Sequence, residues 1–92
     1  MCRIAGIISN RLKTEEIREK VILMCNALKH GGPDDEGIFS SEAAGLVFGH
    51  RRLSIIDLSR NGHQPMTDAG QQAWITFNGE IYNYLGLKEH FL

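Results

Sequence analysis

Apolar positions fall along the chain in short, separated runs, and the spacing inside each run predicts its element. Ile4-Ala5-Gly6-Ile7-Ile8 is continuous and ends at Ser9-Asn10, which predicts a short buried strand. Thr14 reads as an N-cap, with Glu15 and Glu16 in the first turn where carboxylates suit the helix dipole. Ile17, Val21, Met24 and Leu28 then recur at helical spacing with Cys25 beside them. Gly31-Gly32-Pro33 cannot continue a helix, so the stop is expected at Lys29-His30, with Lys29 in the last turn. After a turn-rich loop over 31–37, Gly37-Ile38-Phe39-Ser40 and Leu46-Val47-Phe48-Gly49-His50 predict a hairpin around Ser41-Glu42. The second strand has sequence suited to continuing through Arg52 to Ile56. Asn61-Gly62-His63-Gln64-Pro65 is a second loop. Ala73-Trp74-Ile75-Thr76-Phe77 is strongly β-prone, and Asn78-Gly79 ends it with a turn signature. Tyr84 to Leu92 starts another helix. This order predicts an α+β fold with largely antiparallel sheet.

Composition narrows the function classes. A chain of 92 residues with 42% hydrophobic and 23% charged positions is ordinary for one small soluble domain or part of one. No linker or repeat divides it. A net charge of −1 gives no electrostatic case for nucleic acid or an anionic membrane. No apolar run approaches the ~20 residues of a membrane span, and Arg3 interrupts any signal-peptide pattern, so a cytoplasmic setting is expected. The two cysteines do not make a disulfide framework, and Cys25 is expected in the core. The four histidines lack ligand spacing, so no metal site is expected.

Cys2 carries the most chemistry. Its position behind Met1 suits removal of the methionine, which would leave a thiol and a free α-amine on one residue. An ordinary α-amine titrates at about 7.7–8.0 and can take a thiol proton near neutral pH. Position alone nevertheless favours a packing role, since free cysteine is commonly a small buried apolar residue. Other segments change that balance: Gly32-Pro33-Asp34-Asp35-Glu36-Gly37, His50-Arg51-Arg52-Leu53-Ser54-Ile55-Ile56-Asp57, Asn61-Gly62-His63-Gln64-Pro65-Met66, and Phe77-Asn78-Gly79-Glu80-Ile81-Tyr82-Asn83.

In this order and spacing, from Met1 to about Leu85, the set resembles the glutaminase domain of class II glutamine amidotransferases, the N-terminal-nucleophile type. It is most similar to the asparagine synthetase (glutamine-hydrolysing) family. The resemblance implies an αββα sandwich with antiparallel sheets, of which this chain would be a part. It implies Cys2 as nucleophile and its own amine as base. Asn78 and Gly79 would form the oxyanion hole, and such donors typically contribute about 3–4 kcal/mol each to lowering the barrier. Arg52 would hold the α-carboxylate of L-glutamine, with Glu80 meeting the α-ammonium and the backbone of Leu53, Ser54, Ile55 and Ile56 lining the pocket. A planar guanidinium suits a carboxylate bidentately.

Alternation puts Arg51 on the opposite face, toward solvent. Asp57 reads as a strand-end residue. His63-Gln64-Pro65-Met66 and Gly32-Pro33-Asp34-Asp35 are expected to be structural loops. Two positions depart from the family pattern: Arg3 stands where a small residue is usual, and Gly31 where arginine precedes Gly-Pro-Asp. The first bears on access to the pocket; the second removes an expected ion pair or loop anchor.

The same resemblance implies a downstream synthetase domain using ATP and Mg2+ to amidate aspartate, with no cofactor in this segment. The glutaminase part of another class II amidotransferase, with a different ammonia acceptor, or an inactive truncated domain are the other readings. Half a sandwich would expose a sheet face and strand edges, leaving homo-oligomer formation open.

Overall fold

The computed structural model describes residues 2–53, 62–79 and 83–91. Its elements are β1 (Arg3–Ile8), α1 (Thr14–Ala27), a single 3-10 turn (Lys29–Gly31), β2 (Asp35–Ser41), β3 (Leu46–Arg52), β4 (Met66–Thr67), β5 (Trp74–Ile75) and α2 (Tyr84–Phe91). The first three strands form an antiparallel sheet in the order β1-β3-β2, and β4 pairs with β5. The fold is therefore α+β with antiparallel sheets.

The register decides what each face carries. Arg3 pairs with Arg51, Ala5 with Gly49 and Ile7 with Val47 on one side of β3; Glu36 pairs with Arg51 and Ile38 with Gly49 on the other. Because side chains alternate, Ala5, Ile7, Ile38 and Val47 share one face. Helix α1 covers that face with Ile17, Val21 and Cys25, spaced four apart so that they stack along one stripe. Burying aliphatic side chains of this kind contributes about 1.5–3 kcal/mol each before chain entropy is counted. A Cβ on Gly49 would lie 2.6 Å from Cys25 Sγ. The bare glycine is what lets the helix settle onto the central strand.

Several expectations need correction. Cys25 is in the core as expected, but Met24 is not and stands 38% exposed, because the stripe runs i, i+4, i+8 from Ile17. Thr14 is the first helical residue; the cap position is Lys13, which makes no side-chain bond. Ser9 does the nearby work instead, its Oγ accepting the N–H groups of Arg11 and Leu12. The helix ends at Ala27, so Lys29 belongs to the following 3-10 turn. β1 is not buried on both faces: Ile4 and Ile8 point away from α1 and are 47% and 73% exposed. That second face also carries Phe39 and Phe48, with ring centroids 5.3 Å apart. Trp74 stacks on Phe39 at 4.2 Å.

The β4–β5 hairpin is tied by Asp68, whose Oδ1 accepts the N–H groups of Gln72 and Ala73 at 2.8 and 3.1 Å. These bonds, Ala73 first, hold the Asp68 carboxyl below its ordinary range. The strand expected over Ala73–Phe77 is only Trp74–Ile75. Its partner is two residues long, and the Phe77 N–H is taken by the side chain of Gln64. The hairpin of β2 and β3 is as expected but longer, and its turn spans 42–45 with Gly45 at φ +62. Among the described residues no helix is long and apolar enough to cross a membrane.

Candidate functional site at the head of strand β1

The pairing of Arg3 with Arg51 brings the start of β1 beside the end of β3. Cys2 therefore meets Leu53, 51 positions away in sequence. The Leu53 N–H points to Cys2 Sγ at 3.4 Å, and the thiol reaches the Leu53 carbonyl oxygen at 3.7 Å. Cys2 is half-buried, which leaves the sulfur reachable. The groups around it come from both faces of the sheet.

On the α1 face, Arg3 donates from Nη1 to the Cys2 carbonyl at 3.1 Å. Its side chain lies against Gly31, where a Cβ would fall 2.6 Å from Arg3 Cζ and Nε. The two departures from the family pattern thus meet in space: a guanidinium fills the room beside the bare glycine, carried by β1. Arg51 is a correction. It does lie on the face opposite Arg52, but α1 and the 29–33 loop cover that face, and it is 5% exposed. It pairs with Glu36 Oε2 at 2.6 Å and donates from Nε to the Gly32 carbonyl at 2.9 Å. Alternation gave the side of the strand correctly and the solvent wrongly.

On the other face lie Arg52, His50 and Asp35. Arg52 is 7% exposed, and a Cβ at Gly62 would sit 2.2 Å from its Nη2, so a glycine is needed for the 62–65 segment to cross the guanidinium. The Asp34 N–H bonds the Arg52 carbonyl at 2.9 Å. That contact fastens the Gly-Pro-Asp loop to the strand end. Asp35 opens β2, pairs with His63 Nδ1 at 2.5 Å and accepts the Glu36 N–H at 2.9 Å. His63 and Asp35 thereby join two of the segments expected to be structural.

His50 is fully buried and bonds from Nε2 to the Phe77 carbonyl at 3.0 Å. A carbonyl oxygen only accepts, so Nε2 carries the hydrogen. Burial pushes the His50 pKa below its ordinary value, with His63 and Arg52 acting the same way; the Phe77 carbonyl and Asp35 oppose them. Gln64, 8% exposed, accepts the Phe77 N–H at 2.8 Å through Oε1. Its peptide bond to Pro65 is cis. Asn78 and Gly79 follow directly and are exposed. A Cβ at Gly79 would meet nothing within 4 Å among the described residues.

Of the residues expected in the site, Cys2, Arg52 and Leu53 come together, and Asn78 and Gly79 follow a residue tethered to the same face. Ser54, Ile55, Ile56 and Glu80 lie outside the described residues, as does Asp57. Sequence reasoning missed His50 and Gln64. Alternation from Arg52 back to His50 was the available signal for the first, since it puts both on one face. Cys25 is the expected core residue, and burial raises its thiol pKa. A broad groove lies at the far end of β1, lined by Ile8, Ser9, Lys13, Glu15, Glu42 and Gly45. Five residue steps along the strand put it ~17 Å from the Cys2 end, and none of the site residues lines it.

Comparison with known proteins bears on the same residues. A Methanocaldococcus jannaschii relative is 46% identical over 107 residues, which take in 99% of this chain and 20% of that protein. Asparagine synthetase (glutamine-hydrolyzing) 1 of Bacillus subtilis is 43% identical over 91 residues, 97% of this chain and 14% of that protein. Asparagine synthetase B (glutamine-hydrolyzing) of Escherichia coli is 34% identical, with 99% of this chain and 16% of that protein covered. The chain thus spans 14–20% of the length of these relatives. The family model described as the glutamine amidotransferase domain matches residues 1–92, from Cys2 through the Arg52–Leu53 strand end to Asn78 and Gly79, and on that match the chain belongs to the glutamine amidotransferase family.

Proposed function

We propose that Cys2 is the nucleophile of a glutamine-hydrolysing site that supplies ammonia to an asparagine synthetase. The observation that carries this reading is the docking of the Cys2 thiol on Leu53, next to the buried Arg52. That contact sets the Cys2 thiol at the strand end that carries Arg52. Relatives named as glutamine-hydrolyzing asparagine synthetases support this reading, in which the acceptor is aspartate, amidated in a downstream synthetase domain with ATP and Mg2+. Among the described residues no cluster of His, Cys, Asp or Glu comes together to hold a metal.

With Met1 removed, the α-amine of Cys2 takes the thiol proton, and the sulfur attacks the side-chain amide carbon of glutamine. The carbonyl π electrons move onto oxygen, where the Asn78 amide and the Gly79 N–H donate to the new oxyanion. Because Gly79 touches no neighbour among the described residues that would demand a glycine, its bareness serves approach from outside. Collapse breaks the C–N bond, and the protonated amine gives its proton to departing ammonia. Water then cleaves the thioester to glutamate and restores the thiol. Arg52 and Glu80 hold the two ends of the amino-acid group, and Leu53 to Ile56 line its path.

The exposed face carrying Ile4, Ile8 and Phe48 would be covered by a second sheet ~10 Å away, completing an αββα sandwich. The 92 residues are one portion of that domain.

The test is mass spectrometry of the protein expressed from its complete gene, after treatment with a glutamine-analogue electrophile. A single adduct on Cys2, with Met1 gone, is expected. Retained Met1, or an adduct on another residue, refutes the assignment. Ammonia transfer to an acceptor other than aspartate would keep the nucleophile and replace the synthetase reading.

A further inference from the structure

We propose that His50 and Gln64 are positioning residues for the oxyanion donors: together they clamp the peptide groups of Phe77 and so set where Asn78 and Gly79 stand. The inference rests on the reading of Cys2, Asn78 and Gly79 given above, and adds to it.

Phe77 is held from two sides by two unrelated segments. His50, on the central strand β3, donates from Nε2 to its carbonyl at 3.0 Å; Gln64, in the loop before β4, accepts its N–H at 2.8 Å. Both side chains are buried, at 1% and 8% exposure. The side-chain ends of these bonds are therefore largely withdrawn from water, while Phe77 itself is half-buried, and breaking either bond leaves a buried polar side chain short of a partner. The bonds also explain why β5 stops at Ile75: Phe77 has left the ladder to be pinned against the face of β3 that carries Arg52. The Phe77 carbonyl belongs to the peptide unit that includes the Asn78 nitrogen. Fixing that carbonyl fixes the plane from which the Asn78 side chain departs.

The two anchors are themselves anchored. His50 sits opposite Gly37 and Ile4 in the sheet register. A Cβ on Gly37 would fall 1.9 Å from the Gln64 carbonyl oxygen and 2.8 Å from His63 Nε2. The 63–64 segment thus lies directly on β2, and the Asp35–His63 pair fastens it to the start of the same strand. A chain of contacts runs from the strand bearing Arg52 to the residue preceding Asn78, with no flexible surface side chain in it. Donors placed this way need no reorganisation when charge develops on the substrate oxygen.

The experiment compares Gln64→Met, which keeps the volume and removes the acceptor, His50→Phe, which removes the donor, and His50→Gln, which keeps an N–H near the place of Nε2. The protein expressed from its complete gene is used. Two readouts are taken: glutamine turnover, and alkylation of Cys2 by iodoacetamide, a displacement at saturated carbon that develops no carbonyl oxyanion. Gln64→Met and His50→Phe are expected to lower kcat 10- to 100-fold, with KM for glutamine and the Cys2 alkylation rate within about twofold of the parent, and His50→Gln to recover most of the kcat. The bound follows from the roughly 10²–10³-fold loss typical when an oxyanion donor is removed outright. Unchanged kcat in Gln64→Met and His50→Phe overturns the clamp. So does a parallel fall of kcat and alkylation, which would mean that these residues support the whole fold and not the donors. Failure of the parent to alkylate at Cys2 overturns the nucleophile reading instead, and the clamp with it.

Discussion

Gly31→Ala is a one-carbon change whose effect should depend entirely on a residue 28 positions away. The added Cβ would come 2.6 Å from Arg3 Cζ and Nε and 2.9 Å from Cγ. Such separations do not persist, so the Arg3 side chain must swing out of its seat. In leaving, it gives up the bond from Nη1 to the Cys2 carbonyl, 3.1 Å long and partly buried. Hydrogen bonds from charged donors contribute about 1.5–3 kcal/mol; allowing for the solvent that reaches this one, about 1–2 kcal/mol is expected. Opposing it, alanine restricts the unfolded chain and stabilises by about 0.4–1 kcal/mol where the backbone tolerates it. The net loss on Gly31→Ala is then up to about 1.5 kcal/mol.

In an Arg3→Gly background the clash is gone, and the same substitution should be neutral or mildly stabilising. The coupling between the two sites is therefore about 1–2 kcal/mol, within the range for residues in contact. Urea titrations of the parent, the two single variants and the double variant, followed by far-UV circular dichroism, measure it. Equal destabilisation by Gly31→Ala with and without Arg3 would refute the argument, since it would place the cost in the backbone of the 3-10 turn and not in the guanidinium.

Among the described residues Glu36→Gln leaves the buried Arg51 guanidinium with only neutral partners; the pair is partly open to water at Glu36, so a loss of about 1–2 kcal/mol in a urea titration is expected. Gly49→Ala drives a methyl into Cys25 Sγ and Ile38 Cδ1 at 2.6 and 2.8 Å. A cost of about 1–3 kcal/mol is expected, part of it recovered by Cys25→Ala in the same chain and read as a shift in thermal midpoint. Burial, reinforced by His63 and Arg52 against the Phe77 carbonyl and Asp35, lowers the His50 pKa from its ordinary 6.5. The unfolded chain therefore takes up that proton first as pH falls. The contribution of neutral His50 is whole above about 6.5 and is lost as pH drops through the lowered folded value. Denaturation midpoints measured against pH should show this acid loss in the parent and less of it in His50→Gln.

Local pattern carried most of the fold, because each element is short and one-sided. The i, i+4, i+8 stripe of Ile17, Val21 and Cys25 was visible, although Met24 competed with Cys25 for the same face on hydrophobicity alone. The bareness of Gly49 decides between them, and that is a fact about packing across the sheet. The segments proposed to carry the nucleophile, the guanidinium and the oxyanion donors were legible as residue types in a familiar order. What joins them was not. Arg51 was expected in solvent because alternation names a face without saying what covers it. Arg3 and Gly31 read as two separate departures, and only the pairing of β1 with β3 makes them one contact. His50 and Gln64 act through a backbone 27 and 13 residues away, which no spacing rule reaches.

The seating of Cys25 against Gly49 has a practical consequence for thiol chemistry. Cys25 is 1% exposed, and its raised pKa keeps it as the unreactive protonated thiol, whereas Cys2 is only half-buried. Each chain thus carries a sealed thiol on α1 and an open one at the head of β1. A colorimetric thiol count on this chain should give one fast equivalent in native buffer and a second only as urea lifts α1 from β3. The second equivalent reports the integrity of the fold, and the first reports the state of the site.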